Sequence, residues 1–252
     1  MSYNIHNFDH PSPGTPTLMP RSIPRIVIGC LAAWLVASAA AQPQPTRSEV
    51  WDLQLGAAAD ALPDAFSDYA CGTNGGPPSR QLGGWTDFRR CRPEASGLRE
   101  VYFRYDDELE YWAKANNFAT EIERFSGTKV YGFPVVLSAL FDEQGVLAGL
   151  RIVSDPRDQT RRREDAHSLR NFLTARFGRD GWDCVDHPLD DGETPVARTF
   201  IKQDCRKAIA GIGTATLRTS YFRKKGQSEF DPQTGRETKD QFESMVRFEL
   251  LK

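Results

Sequence analysis

The sequence predicts an α+β fold of two similar modules, each built from a helix, a disulfide-closed loop and an antiparallel sheet. Three observations lead there. Apolar and polar residues alternate at strand spacing in several runs, other stretches carry apolar residues at helical spacing, and one pattern of cysteines followed by a strand occurs twice. Tyr69-Ala-Cys71 and Trp182-Asp-Cys184 both place an aromatic residue two positions before a cysteine. The next cysteine follows after 20 residues at Cys91 and after 21 at Cys205. The segments LREVYFRY from Leu98 and LRTSYFRK from Leu217 come next and share five of eight residues. The shared register supports a tandem repeat more than the identities do, because a match of that size arises by chance about once in a chain of this length.

At the N-terminus, two arginines, an apolar run from Ile26 to Ala40 and small residues at Ala39 and Ala41 form a signal-peptide pattern. The run of about 16 apolar residues is shorter than the roughly 18 that a membrane span needs. Cleavage after Ala41 is expected, and Met19 is the favoured start of translation over Met1. Lipoprotein processing at Cys30 is disfavoured, since only four residues separate VIGC from Arg25. Residues 1–41 are thus read as extension and signal peptide, and 42–49 as a linker. The first module covers 50–155, a linker 156–160, and the second module 161–252. The expectation is a periplasmic or secreted protein with no transmembrane segment after cleavage.

In the first module, Leu55, Ala58, Ala59 and Leu62 have helical spacing ahead of Pro63. Val101, Phe103 and Tyr105 then fall on one face of a strand. A second helix is expected over 108–125, capped by Asp106 or Asp107 and ended by Gly127. The stretch FPVVLSALFDEQGVLAGLRIV reads as a hairpin turning at DEQG. The second module opens with a helix whose apolar stripe is Ala166, Leu169, Phe172, Leu173 and Phe177, with Gly178 at its C-cap. Strands at RTFIKQ, at Leu217 and at SMVRFELL complete an antiparallel pattern.

That order resembles the tandem modules of β-lactamase-inhibitor proteins and the single module of SmpA-type outer-membrane assembly lipoproteins. The resemblance rests on LGAAADALP, the paired cysteines and FDEQGVL; the modules here are longer, and the 108–125 helix has no counterpart. It implies an envelope protein that works by binding other proteins, and it transfers no functional residue.

The chain has 252 residues and a formal net charge of -2. Removing 1–41 deletes Arg21, Arg25 and Asp9, which leaves 30 basic and 33 acidic residues. A charge so close to balance gives no field for nucleic acid, and no basic run exceeds Arg161 to Arg163. Cys71, Cys91, Cys184 and Cys205 remain, an even count that reads as two disulfides in an exported protein. Four cysteines allow three connectivities, and the repeat selects Cys71 with Cys91 and Cys184 with Cys205.

Catalytic and metal motifs are not found, and no cofactor is expected. Only His167 and His187 remain for a triad, and CVDH lacks the further ligands of a metal site. Asp186, Asp190, Asp191 and Glu193 miss the spacing of a calcium loop. The carboxylates of YDDELEY (Asp106, Asp107, Glu108 and Glu110) fit a helix N-terminus better than an acid/base pair. GTNGGPPSRQLGGW offers a candidate binding edge of Thr73, Asn74, Arg80 and Trp85. The expected function is non-catalytic binding of an envelope protein. The alternatives are an envelope hydrolase using paired carboxylates and a small-ligand binder between modules.

Overall fold

The computed structural model describes residues 48–105, 108–120, 128–155, 165–224, 226, 228–230, 235–239 and 242–252, all belonging to one compact unit. The expected signal peptide, the expected linker at 156–160, Asp106, Asp107 and Arg161 to Arg163 lie outside the described residues, as do the side chains of Glu108 and Glu110.

The strands are β1 (Ser67–Cys71), β2 (Arg99–Arg104), β3 (Lys129–Val130), β4 (Phe133–Phe141), β5 (Leu147–Ser154) and β6 (Asp183–Asp186), followed by β7 (Glu193–Thr194), β8 (Ile201–Ile209), β9 (Gly213–Lys224), β10 (Ser228–Phe230), β11 (Glu237–Lys239) and β12 (Phe242–Leu251). Ten of them form one sheet in the order β1-β2-β4-β5-β12-β9-β8-β6, with β3 added to β4 and β7 to β9. The described pairings are antiparallel, and β10 and β11 pair separately. Two runs of neighbouring strands meet where Gly149 to Val153 of β5 lie opposite Leu251 to Arg247 of β12.

The expected α+β class of helix-bearing modules is therefore corrected to a mainly antiparallel β fold in which the helices are short. Near Leu55 to Leu62 the chain makes only short 3-10 turns at Val50–Asp52 and Ala59–Ala61. Gly56, at φ +94, breaks the helical course. The backbone groups there pair with the β4–β5 turn: Gly56 N donates to Leu147 O, Leu147 N to Ala57 O, and Ala59 N to Gly145 O. Of the helix expected over 108–125, the first part is α1 (Glu108–Ala115), while 121–125 and the expected stop at Gly127 lie outside the described residues. Asn117, at φ +60, supplies a left-handed stop, and the Phe118 amide closes on the Ala113 carbonyl.

In the second half a 3-10 turn at Ala166–Ser168 leads into α2 (Leu169–Arg176). Its buried stripe is Ala166, Leu169 and Leu173, whereas Phe172 is 47% exposed and packs on Tyr131 and Phe133 at the surface. Gly178 has φ +86, and Lys207 Nζ donates to the carbonyls of Phe177, Gly178 and Asp180, placing a cation where the helix dipole favours it.

Strand alternation sorts the rest. Val101, Phe103, Leu137, Phe141, Ile152, Leu217, Phe248 and the α2 leucines enter one hydrophobic core, so both halves share it. The hairpin of β4 and β5 turns through Asp142, whose Oδ1 accepts from Gln144 N and Val146 N. The copies of the repeated segment take different places. LREVYFRY supplies β2, beside the edge strand β1, while LRTSYFRK supplies β9, which β8 separates from the edge strand β6. Among the described residues no helix is long and apolar enough to cross a membrane.

Candidate functional site

On β2, β5 and β12, Glu100, Arg151, Arg247 and Glu249 occupy the positions between core residues, so they project from the outer face of the sheet. Arg151 is 4% exposed. Its Nε donates to Glu249 Oε1 at 2.6 Å, and Nη1 and Nη2 donate to the two Glu94 oxygens at 2.6 and 3.0 Å. Glu100 Oε2 lies 2.9 Å from Nη1. A guanidinium buried that deeply is tolerable because all its faces meet carboxylates. Hydrogen bonds from Arg151 hold the Glu94 carboxyl below its ordinary value against the opposing effect of burial. Burial pushes Glu249 up, but Arg151 and Arg247 outweigh it and leave its pKa lowered.

The disulfide between Cys71 and Cys91 closes a ring whose first part folds over this cluster. Asn74 and Gly75 have φ +62 and +80, which turns both amides onto the Glu100 carboxylate; Gly75 N reaches Oε1 at 2.9 Å, and Asn74 N reaches Oε2. A Cβ on Gly72 would stand 2.2 Å from Glu100 Cδ, so glycine permits the approach. Arg247 ties the loop to β12, donating to Asn74 O at 2.8 Å and Asn74 Oδ1 at 2.5 Å.

The expected binding edge is accordingly divided. Asn74 belongs to the ion cluster, and Thr73 Oγ1 closes its own turn on Pro77 O. Arg80 is exposed and lends its carbonyl to Cys71 N. Trp85 is 5% exposed and sits in the core among Phe66, Tyr69 and Phe103, its Nε1 donating to Pro63 O. These four residues do not form one surface.

What the outer face does present is a groove of two adjoining cavities, about 490 and 400 Å³, that share Arg247 and Glu249. The first lies against Arg151 and Glu94. The second crosses β9 and β8 to Asp183 and Val185 on β6. Its charges are largely fixed in pairs: Arg218 Nε and Nη2 donate to the two oxygens of Asp204 at 2.7 and 3.3 Å, and His187 Nε2 stands 3.2 Å from Asp204 Oδ2. Arg218 holds the Asp204 carboxyl below its ordinary value.

A relay for nucleophilic catalysis is not assembled from these parts. His187 meets its carboxylate on the outer face. His167 Nδ1 lies 3.3 Å from Ser244 Oγ on the core face, and that hydroxyl already accepts the His167 amide. Asp190 and Glu193 both engage Lys202. Among the described residues no three metal-ligating side chains gather, and Cys184 is bonded to Cys205.

Sequence reasoning missed Glu94, Glu100, Arg151, Arg247 and Glu249. The available signal was Arg151 itself, a charge whose strand neighbours on its own face, Gly149 and Val153, are not polar. No family model, curated protein or solved structure matches this chain, so the architectural resemblance gains no relative to support it.

Proposed function

We propose that this is an exported, non-catalytic protein of the periplasm or extracellular space that binds another protein or envelope component on the outer face of its sheet. The observation that carries this reading is the groove running from Arg151 to Val185, floored by strands and lined largely by charges fixed in pairs. Such a surface offers oriented polar contacts at small entropic cost, as recognition requires, and brings no nucleophile and base together. The two disulfides accord with an oxidising compartment.

The test is site-specific photocrosslinking in intact envelopes from Thr216, which lines the second cavity. A discrete partner crosslinked from Thr216, and absent when the crosslinker replaces exposed Gln54, which lines neither cavity and adjoins the core residue Leu53, is the expected result. Failure to recover a partner, together with cleavage of a peptidoglycan or polysaccharide substrate by the purified protein, would replace binding by hydrolysis.

A further inference from the structure

The sheet ends at β6, whose four residues are all exposed. The direction of its hydrogen bonds follows from two observations. His187 N donates to Lys202 O at 2.7 Å, continuing the ladder with β8, and Cys184 stands opposite Cys205 with the Cα atoms 4.0 Å apart, the short spacing of a non-hydrogen-bonded pair. Asp183, Val185 and His187 therefore turn their amides toward β8, and Cys184 and Asp186 turn theirs outward. Among the described residues no hydrogen bond meets the outward groups of Cys184 and Asp186.

We propose that this edge receives an extended, cationic segment of the protein partner, which adds to β6 as a further strand; the proposal rests on the binding function above. The molecule performs the same pairing internally at its other edge. There Cys71 N donates to Arg80 O at 2.7 Å, Ser79 N to Cys71 O at 2.9 Å and Leu82 N to Tyr69 O at 2.8 Å, so that residues 79–82 cover β1. At β6 no described residue takes the place that residues 79–82 hold at β1, which leaves that position for a second chain.

Charge chooses the occupant. Between Arg179 and Glu193 the sequence holds six acidic residues and one arginine. Lys202 engages Asp190 and Glu193, and Gln203 Nε2 donates to Asp186 Oδ1 at 2.6 Å without neutralising it, so Asp180, Asp183, Asp186 and Asp191 keep negative charge beside the edge. These carboxylates oppose pairing with the same edge of a second copy and favour lysine or arginine. Val185 and Leu189, 55% and 44% exposed, supply apolar contacts between the charges. Val185 and Asp183 also line the groove, so the added strand would continue its wall.

The probe is a short peptide of alternating lysine and valine, titrated into the purified protein and followed by amide exchange in NMR spectra. The account predicts saturable binding, with new protection at Cys184 and Asp186, and no binding of the peptide carrying glutamate for lysine. Asp186→Pro removes one outward amide, together with the carboxylate that accepts from Gln203 Nε2, and spares the backbone ladder with β8; it should weaken binding by about tenfold or more. Asp183→Lys retains every amide and should weaken binding several-fold, so it decides the matter if the proline variant does not fold. No binding, binding without protection at those two amides, or unchanged affinity in Asp183→Lys would overturn the proposal. A partner that still crosslinks from Thr216 after such a result would leave the binding function standing without the edge, whereas absence of any partner with polymer cleavage would remove the function itself.

Discussion

The two edges of the sheet are each held by a disulfide ring of similar size, yet among the described residues one is covered and the other is not. In the first ring, the chain between Cys71 and Cys91 doubles back along the outside of β1, where Ser79, Arg80 and Leu82 take up its backbone groups. In the second, the chain between Cys184 and Cys205 runs inward, and β7 pairs with Lys224 and Arg223 of β9. The disulfide thus sets how far the ring can wander, and the hydrogen-bond partners inside the ring decide which side of the edge strand it covers. The closed edge also has an anchor that the open one lacks, the buried cluster of Arg151, Glu94, Glu100 and Glu249 beneath residues 74–75.

Removing that anchor should produce the largest effect. Arg151→Leu leaves three carboxylates without their central cation and should cost about 3–5 kcal/mol in urea denaturation. Amides at Cys71 and Leu82 should lose protection along with it, while those at Val185 and His187 change little. Opening the rings comes next. Replacing both cysteines of either ring by serine should cost about 3 kcal/mol in the chain-entropy account, since the rings close over 20 and 21 residues. The distinguishing result is self-association, expected only for Cys71→Ser/Cys91→Ser, because that pair frees the β1 edge. Equal association of both double variants in sedimentation would break the comparison.

A smaller effect is expected from Gly72→Ala, which drives a methyl group into Glu100 and should cost about 1–3 kcal/mol, read as a lowered thermal midpoint. The smallest effect is that of pH. Glu94 and Glu249 have lowered folded-state values, so the unfolded chain takes up their protons first on acidification. Their contribution is complete above the ordinary carboxylate range and is lost as pH falls through the lowered folded values. Urea midpoints measured from neutral pH downward should fall less steeply in Glu249→Gln than in the native chain.

Parts of this arrangement were legible in the sequence. Val135, Leu137, Ala139, Phe141, Leu150 and Ile152 mark the core face of the β4–β5 hairpin at a period of two, although the residues between them are largely buried as well. The helix expected around Leu55 to Leu62 was not recoverable from spacing, since the same residues serve short turns whose amides pair with β5, a partner distant in sequence. Phe172 misled for a related reason: helical spacing locates a stripe but not its width, and the core side of α2 needs only Leu169 and Leu173. In the loop of five glycines, the sequence pointed to close backbone approach without naming what is approached. Glu100 fills that role, and it looks like an ordinary outward-facing residue of an alternating strand.

Native-state amide exchange by NMR, without any ligand, tests the contrast between the edges most directly. The account predicts slow exchange at Cys71 and Leu82, slow exchange at Val185 and His187, and fast exchange at Cys184 and Asp186, so that protection alternates along β6 and its outward amides are free. Protection at Cys184 and Asp186 equal to that at Cys71 would mean that the β6 edge is already paired, and would contradict the account.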